Sequence, residues 1–317
     1  LTQESELKNN MQQIEDTKQG ALAVSPVEVF KGGDISKRQS EAAKAWKRFK
    51  ANKIALFGLG ILILLVLIAV LADLLAPHSP LKIFPGKRGA PPEAGHWLGF
   101  DGTGRDVLSR IIHGSRVALT VGFAATSMVV IIGVIIGSIA GFFGGWVDQV
   151  LSRIVDTLMA FPIIALLVLL ASVVGPSLTT TIIVIGFTGW ARYARVVRAD
   201  VLSVREWDYV QAARAVGVRN GRIILRHIIP NILGPVIVLA SLGVGGIIIL
   251  ESTLSFLGLG IRPPDPSWGG MLSEGRPFIQ TYPQISIAPG LMIVITVLAF
   301  NFVGNGLRDA LDPRSKD

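Results

Sequence analysis

Residues 54–76 form an apolar run of 23 positions whose single charge, Asp73, lies near the far end. At 1.5 Å per residue a helix of that length covers about 35 Å, against roughly 30 Å of bilayer hydrocarbon. The run is too long for the core of a secretory signal, and the polar stretch before it, residues 1–53, holds no apolar segment of its own. Five more apolar stretches follow, at 117–141, 154–174, 178–190, 228–250 and 287–304. Backbone groups in hydrocarbon must be satisfied within their own segment, and none of these stretches alternates as a barrel strand would. The pattern therefore predicts an all-α integral membrane protein with six transmembrane helices. Only 16% of the residues are charged, against about 25% in soluble domains, which agrees.

Lys and Arg near the helix ends set the orientation. With the N-terminus inside, the inner segments 1–53, 142–153, 191–227 and 305–317 hold 22 of the 30 basic residues. An N-in, C-in topology follows. The dissenting segment is the first outer loop, 77–116, with Lys82, Lys87, Arg88, Arg105, Arg110 and Arg116. The net charge of +8 thus reads as basic inner loops on anionic lipid, not as a nucleic-acid surface. In the second stretch Gly133, Gly137 and Gly141 recur every four residues, a small-residue face suited to close helix packing.

A transporter needs an energy source. Ion-coupled carriers place ionisable groups near mid-membrane. Here Asp73, Asp156 and the arginines after residue 190 all fall near the ends of apolar stretches. Asp156 is expected to pair with Arg153 one turn before it. No G-x-x-x-x-G-K-[ST] occurs, so any ATP that drives this chain is bound by another polypeptide. The absence of Cys excludes thiolate chemistry and Cys-ligated metals, and none of the four His is spaced i, i+4 with another. The chain reads as non-catalytic, with no cofactor or metal of its own.

The inner segment 191–227 is the one substantial loop. Ser203 and Glu206 have capping-box spacing and predict a helix over 204–216, stopped by Gly217. Asn220 then opens a second helix that runs through Arg222, Arg226 and His227 into Pro230 and the fifth span. A basic loop lying on lipid accounts for the arginines alone. A docking helix for a soluble partner also accounts for a capped, alanine-bearing helix that ends on glycine.

The stretch Tyr209-Val210-Gln211-Ala212-Ala213-Arg214-Ala215-Val216-Gly217, followed nine residues later by His227-Ile228-Ile229-Pro230, resembles the E-A-A-x-x-x-G-x(9)-I-x-L-P loop of ABC-importer permeases. It departs from that pattern at Gln211, His227 and Ile229. Trp97 to Asp101, Gly104 to Arg110 and Gly114 to Arg116 are similar to the outer-loop signature of the dipeptide, oligopeptide and nickel importers. Asp156 through Phe161-Pro162, Glu251-Ser252 to Leu257-Gly258, and Pro266 to Gly269 fit the same family. The basic segment before residue 54 resembles the start of its C-type subunit. The likeness covers about residues 40–312.

That resemblance implies a type I (MetI-like) importer-permease fold in the cell membrane of a prokaryote. The expected organisation is a polar tail at 1–40, a basic segment with the first span at 41–76, and an outer loop at 77–116. A five-helix core follows at 117–305, with the coupling loop at 203–230 and an inner tail at 306–317. The implied partners are a homologous B-type permease, two cytoplasmic ATPases that carry ATP and Mg, and an extracytoplasmic solute-binding protein; a peptide is the implied substrate. Ala212, Ala213 and Gly217 are expected to fit a socket on an ATPase, with Glu206, Asp208, Gln211 and Arg214 as polar contacts and Pro230 fixing the exit. The outer segments 95–116 and 262–282 are expected to meet the binding protein or line the outer vestibule. Nickel, glutathione, opine or oligosaccharide import by the same machinery remains open, as do a stand-alone secondary transporter and a non-transporting membrane scaffold.

Overall fold

The computed structural model describes residues 41–312; the expected polar tail at 1–40 and the end of the expected tail at 306–317, from residue 313, lie outside the described residues. The chain divides into a unit Leu1–Ala43, described only from residue 41, and a unit Lys44–Asp317. Every regular element among the described residues is a helix; the rest is loop, with isolated β-bridges.

Helix α1 (Glu41–Ala51) leads to α2 (Lys53–Val70) through Asn52, whose side-chain oxygen accepts the Ala55 N–H. A short α3 (Ala72–Leu75) and a looped segment precede α4 (Val107–Phe143). At 37 residues α4 is about 55 Å long, so one end must project from any bilayer. The Asp106 carboxylate caps its first turn, and Gly144, at φ +64°, ends it.

The expected third span is not one helix. It breaks into α5 (Gly145–Ala160) and α6 (Ile163–Val174), bent by 87°. Pro162 has no N–H to continue the ladder and forces Phe161 into an extended conformation, φ −83° and ψ 139°. The fourth stretch goes the other way. Capped by Ser177, α7 (Leu178–Val204) runs 14 residues past the apolar segment. The arginines that end the apolar pattern are solvated by partners: Arg198 pairs with Asp148, and Arg195 with Asp156. Asp156 thus binds across to α7 and not to Arg153.

After the inner loop, α8 (Asp208–Ala215) and α9 (Asn220–Ile223) lead through a π-helical turn, Ile224–Ile228, into α10 (Ile229–Phe256). The π register follows from Pro230, whose ring would crowd an ordinary α-turn. On the opposite end lie α11 (Trp268–Gly275) and a 3₁₀ turn, and α12 (Gln284–Leu311) completes the fold.

Among the described residues four helical stretches are long and apolar enough to cross a membrane: Lys53–Val70, Val107–Phe143, Asn220–Phe256 and Gln284–Leu311. The bent pair α5–α6 makes a fifth if it counts as one span. The remaining expected span, the fourth, is α7, which has the length but loses apolarity to its threonines and arginines.

The expected glycine face packs within the chain. Cβ atoms on Gly133, Gly137 and Gly141 would meet Tyr193, Ala194 and Val201 of α7 at 2.6 to 2.8 Å. Similarly, Gly58 of α2 lies against Phe302 of α12, and Gly304 of α12 against Leu242 of α10. Where lipid offers no hydrophobic drive between helices, such close backbone approach supplies the dispersion contacts.

Candidate functional site

The loop at 191–227, expected on the inner side, differs from its expected outline. Ser203 and Val204 belong to the end of α7, so no capping box opens the next helix. Instead α8 starts at Asp208 after an extended Trp207, with no side-chain cap. The Glu206 carboxylate is taken up locally. Arg205 Nε donates to one oxygen at 2.8 Å, and Gln211 Nε2 to the other at 3.3 Å while also donating to the Arg205 carbonyl.

The far end of α8 conforms to expectation. Gly217 has φ +77°, its N–H donates to the Arg214 carbonyl, and the Val218 N–H donates to the Ala213 carbonyl. These paired bonds are a Schellman closure, which needs a left-handed residue at its turn. A Cβ at Gly217 would meet nothing within 4 Å, so backbone conformation and not space calls for glycine.

Two residues of α8 point into the protein. Val210 and Ala213 join a cluster with Phe142 of α4, Val197, Val201 and Val204 of α7, and Ile223, Ile228, Ile232 and Val236 of the α9–α10 run. Ala213 is 9% exposed, so its small side chain fits the chain's own core. Asp208, Gln211, Ala212, Arg214 and Gly217 are exposed, as is Pro230 in the first turn of α10. The Arg214 guanidinium lies over the Phe142 ring at 4.6 Å, which ties α8 to the end of α4. Arg205 adds a second tie by donating to the Gly141 carbonyl at 2.8 Å.

Three exposed apolar side chains went unnoticed in the sequence: Trp207, Val216, at 79% exposed, and Leu225. Large apolar residues in an otherwise polar, basic loop were the available signal. Trp207 stacks edge-on with Tyr209, whose hydroxyl donates to the His227 carbonyl at 3.4 Å. Glu251, quoted above only in the family likeness, was not counted among the charges of the apolar stretches because it directly follows one. It is fully buried within α10 and accepts hydrogen bonds from the Ser252 and Ser255 hydroxyls.

At the opposite end, the two segments expected on the outer side are bonded to each other. Asp101 accepts from the Thr103 hydroxyl and from Arg105 Nε, each at 2.7 Å. Arg105 and Arg110 both donate to Glu274 of α11, at 2.8 and 3.1 Å. Arg110 reaches the Pro264 carbonyl, and the Trp268 indole donates to the Ile111 carbonyl at 3.0 Å. Burial pushes the Asp101 carboxyl up, but the Arg105 N–H, the Thr103 hydroxyl and the Arg110 and Arg105 charges outweigh it and hold it below the usual carboxylate range.

A bundle of apolar helices with a short exposed helix hung between two of them is the build of a transport permease. The family described as "Binding-protein-dependent transport system inner membrane component" matches residues 133–317, more than half of the chain. The chain belongs to this family. Residues 40–92 match the "N-terminal TM domain of oligopeptide transport permease C". The dipeptide transport system permease protein DppC of Alkalihalophilus pseudofirmus is 45% identical over 273 residues, 86% of this chain and 90% of that protein. The oligopeptide permease OppC of Bacillus subtilis is 40% identical over 89% of this chain and 94% of its own length. The glutathione permease GsiD of Pectobacterium atrosepticum is 38% identical over 86% and 90%. Among solved structures, a chain from inward-facing conformations of the MetNI methionine ABC transporter matches with TM-score 0.53. At 18% identity, covering 64% of this chain and 96% of that one, it shows a shared fold alone.

Proposed function

We propose that the chain is the C-type permease subunit of an ATP-driven importer of di- and oligopeptides. In this reading six spans cross the cell membrane of a prokaryote with both termini inside, α5–α6 counting as one and α7 as another. A homologous permease completes the pathway, two cytoplasmic ATPases bind ATP and Mg, and an extracytoplasmic binding protein delivers peptide to the outer segments. This chain itself needs no cofactor or metal.

The observation that carries the reading is the placement of α8. Its inner face is locked by Val210 and Ala213 to α4, α7 and α10 at once, while its outer face is free. A partner that seats on Ala212, Gln211, Arg214 and Gly217 therefore moves three long helices when it moves. Closure of an ATPase dimer would pass to the bundle as rigid-body motion, and alternating access would follow. Asp208 sits in the first turn of α8, where a carboxylate favours the helix dipole, and remains open for a basic partner group.

Expression with its neighbouring transport genes tests the reading. The chain should purify with a second permease and two ATPases, and proteoliposomes should take up labelled dipeptide only with ATP and the binding protein. Purification alone would return the secondary transporter or the scaffold. Uptake of nickel or glutathione in place of peptide would change the cargo and keep the machine; the GsiD relative supports glutathione less than the DppC and OppC relatives support peptides.

A further inference from the structure

Three arginines follow one another along α7, at 192, 195 and 198. Arg195 is paired with Asp156 and Arg198 with Asp148. Arg192 makes no ion pair or hydrogen bond among the described residues. The apolarity pattern places it near the end of a span, but the helix continues to Val204. Arg192 therefore lies in mid-helix, about 21 Å from Leu178 and about 18 Å from Val204 at 1.5 Å per residue. The Arg192 side chain is exposed, and an ionisable group on a helix that crosses a membrane is costly unless it faces a partner or a cavity.

It faces a cavity. A space of about 500 Å³ opens between α4, the α5–α6 break, α7 and α10, and Arg192 is on its wall. The volume is within the range of small-molecule sites. Phe161 and Ile163 border it on either side of Pro162, so the irregular backbone of the break lies beside the cavity. That is where non-helical backbone at membrane depth is tolerated. Tyr193 and Thr188 add hydroxyls, while Gly243 and Gly246 thin the α10 wall. The lining is otherwise apolar, with Arg192 its one charge.

We propose that this cavity is a transit site for the transported solute and that the Arg192 guanidinium receives the solute's carboxylate. The planar fork of arginine matches a carboxylate with two parallel hydrogen bonds, and an apolar surround strengthens them. The site rests on the peptide-import reading, since every unmodified peptide carries a C-terminal carboxylate. The apolar walls accept varied side chains, which a carrier of mixed peptides requires.

The test uses the full complex in proteoliposomes with its binding protein and two probes, a dipeptide and the same dipeptide as its C-terminal amide. The binding protein is constant across variants, so its own preference cancels in the comparison. Arg192→Gln should cut free-acid uptake at least tenfold and amide uptake by much less, and Arg192→Lys should recover part of the loss. Gly246→Leu is the second variant. A Cβ at Gly246 meets nothing within 4 Å, so a side chain can start there without moving the backbone, and leucine should narrow the cavity and slow both probes. Assembly with the partner subunits is checked by co-purification. Equal losses for acid and amide in Arg192→Gln, or normal uptake in both variants, overturn the proposal. So does loss of assembly in Arg192→Gln, which would make Arg192 a contact to the second permease. A wild-type complex that imports no dipeptide overturns the peptide reading itself; wild-type import with unchanged discrimination in the variant overturns this inference alone.

Discussion

Gly137 of α4 sits so close to Ala194 of α7 that a methyl group added to the glycine would lie 2.6 Å from the alanine's carbonyl oxygen. The obstacle is backbone, which cannot turn aside as a side chain can. Val197 closes the same position from a second direction, at 2.8 Å. Gly137→Ala should therefore destabilise the bundle by about 1–3 kcal/mol, the usual cost of overpacking. Gly60, where a Cβ meets nothing within 4 Å, is the control; Gly60→Ala should be neutral or gain about 0.5–1 kcal/mol from helix propensity. Thermal unfolding in one detergent compares the two. Equal melting temperatures would show that the α4–α7 contact is looser than the structure has it.

Gly217 offers a different kind of constraint, one of conformation without crowding. Gly217→Val places a β-branched residue at φ +77°, at a cost of about 1–2 kcal/mol or more, whereas Gly217→Asn should cost less because Asn visits that region. The strained variant should reopen the Schellman turn and loosen the end of α8. The expected result is a complex that still hydrolyses ATP but imports less solute per ATP, with Asn between wild type and Val. Simultaneous measurement of uptake and phosphate release gives that ratio, and an unchanged ratio in Gly217→Val counts against a coupling role for α8.

These two glycines mark what was legible in the sequence. The long apolar stretches announced most of the helices because lipid leaves a chain no other choice. Gly217 announced the stop of α8 because a turn of that hand admits few residues. The start of α8 was misplaced, since Ser203 and Glu206 carry capping spacing while α7 simply continues through them. That continuation was hidden because Arg195 and Arg198 interrupt the apolar pattern and find their carboxylates about 40 and 50 positions earlier in the chain. Pro162 was visible, but a proline alone does not say whether a span kinks or turns through 87°. Arg105 and Glu274, separated by 169 positions, leave no local trace of their pairing.

Ala212 and Ala213 are adjacent and identical, yet Ala212 is exposed and Ala213 is buried. Ala213→Trp must force an indole among Val210, Ile223 and Phe142 and should destabilise the loop by about 1–3 kcal/mol at least, with lower yield of folded protein. Ala212→Trp projects outward and should leave the melting temperature unchanged while it lowers ATPase co-purification and uptake at least tenfold. A pull-down at matched permease concentration, paired with thermal melts, separates the two effects. Full ATPase binding by Ala212→Trp would move the docking surface elsewhere, toward Trp207, Val216 and Leu225.

Acid should loosen the end that carries Asp101 before the rest of the protein. The Asp101 carboxyl is held below the usual range in the folded state, so its contribution is fully present above the unfolded carboxylate value of about 3.9. As pH falls through the lower folded value, the carboxylate is protonated and that contribution is lost. Arg105 and Arg110 then share only Glu274, and the tie between the 77–106 segment and α11 weakens. Limited acid proteolysis at pH 5, 4 and 3 should show cleavage within residues 77–106 rising at the lowest pH. Asp101→Asn should show raised cleavage already at pH 7, because removing one partner of a buried ion pair costs about 3–5 kcal/mol. It should also show a flatter response to acid, since the group that titrates is gone. Identical acid profiles for wild type and Asp101→Asn would place the sensitive carboxylate elsewhere, with Asp73 the next to examine. Asp73 lies past the end of α2, and Arg116 and then His113 hold its carboxyl below the ordinary value.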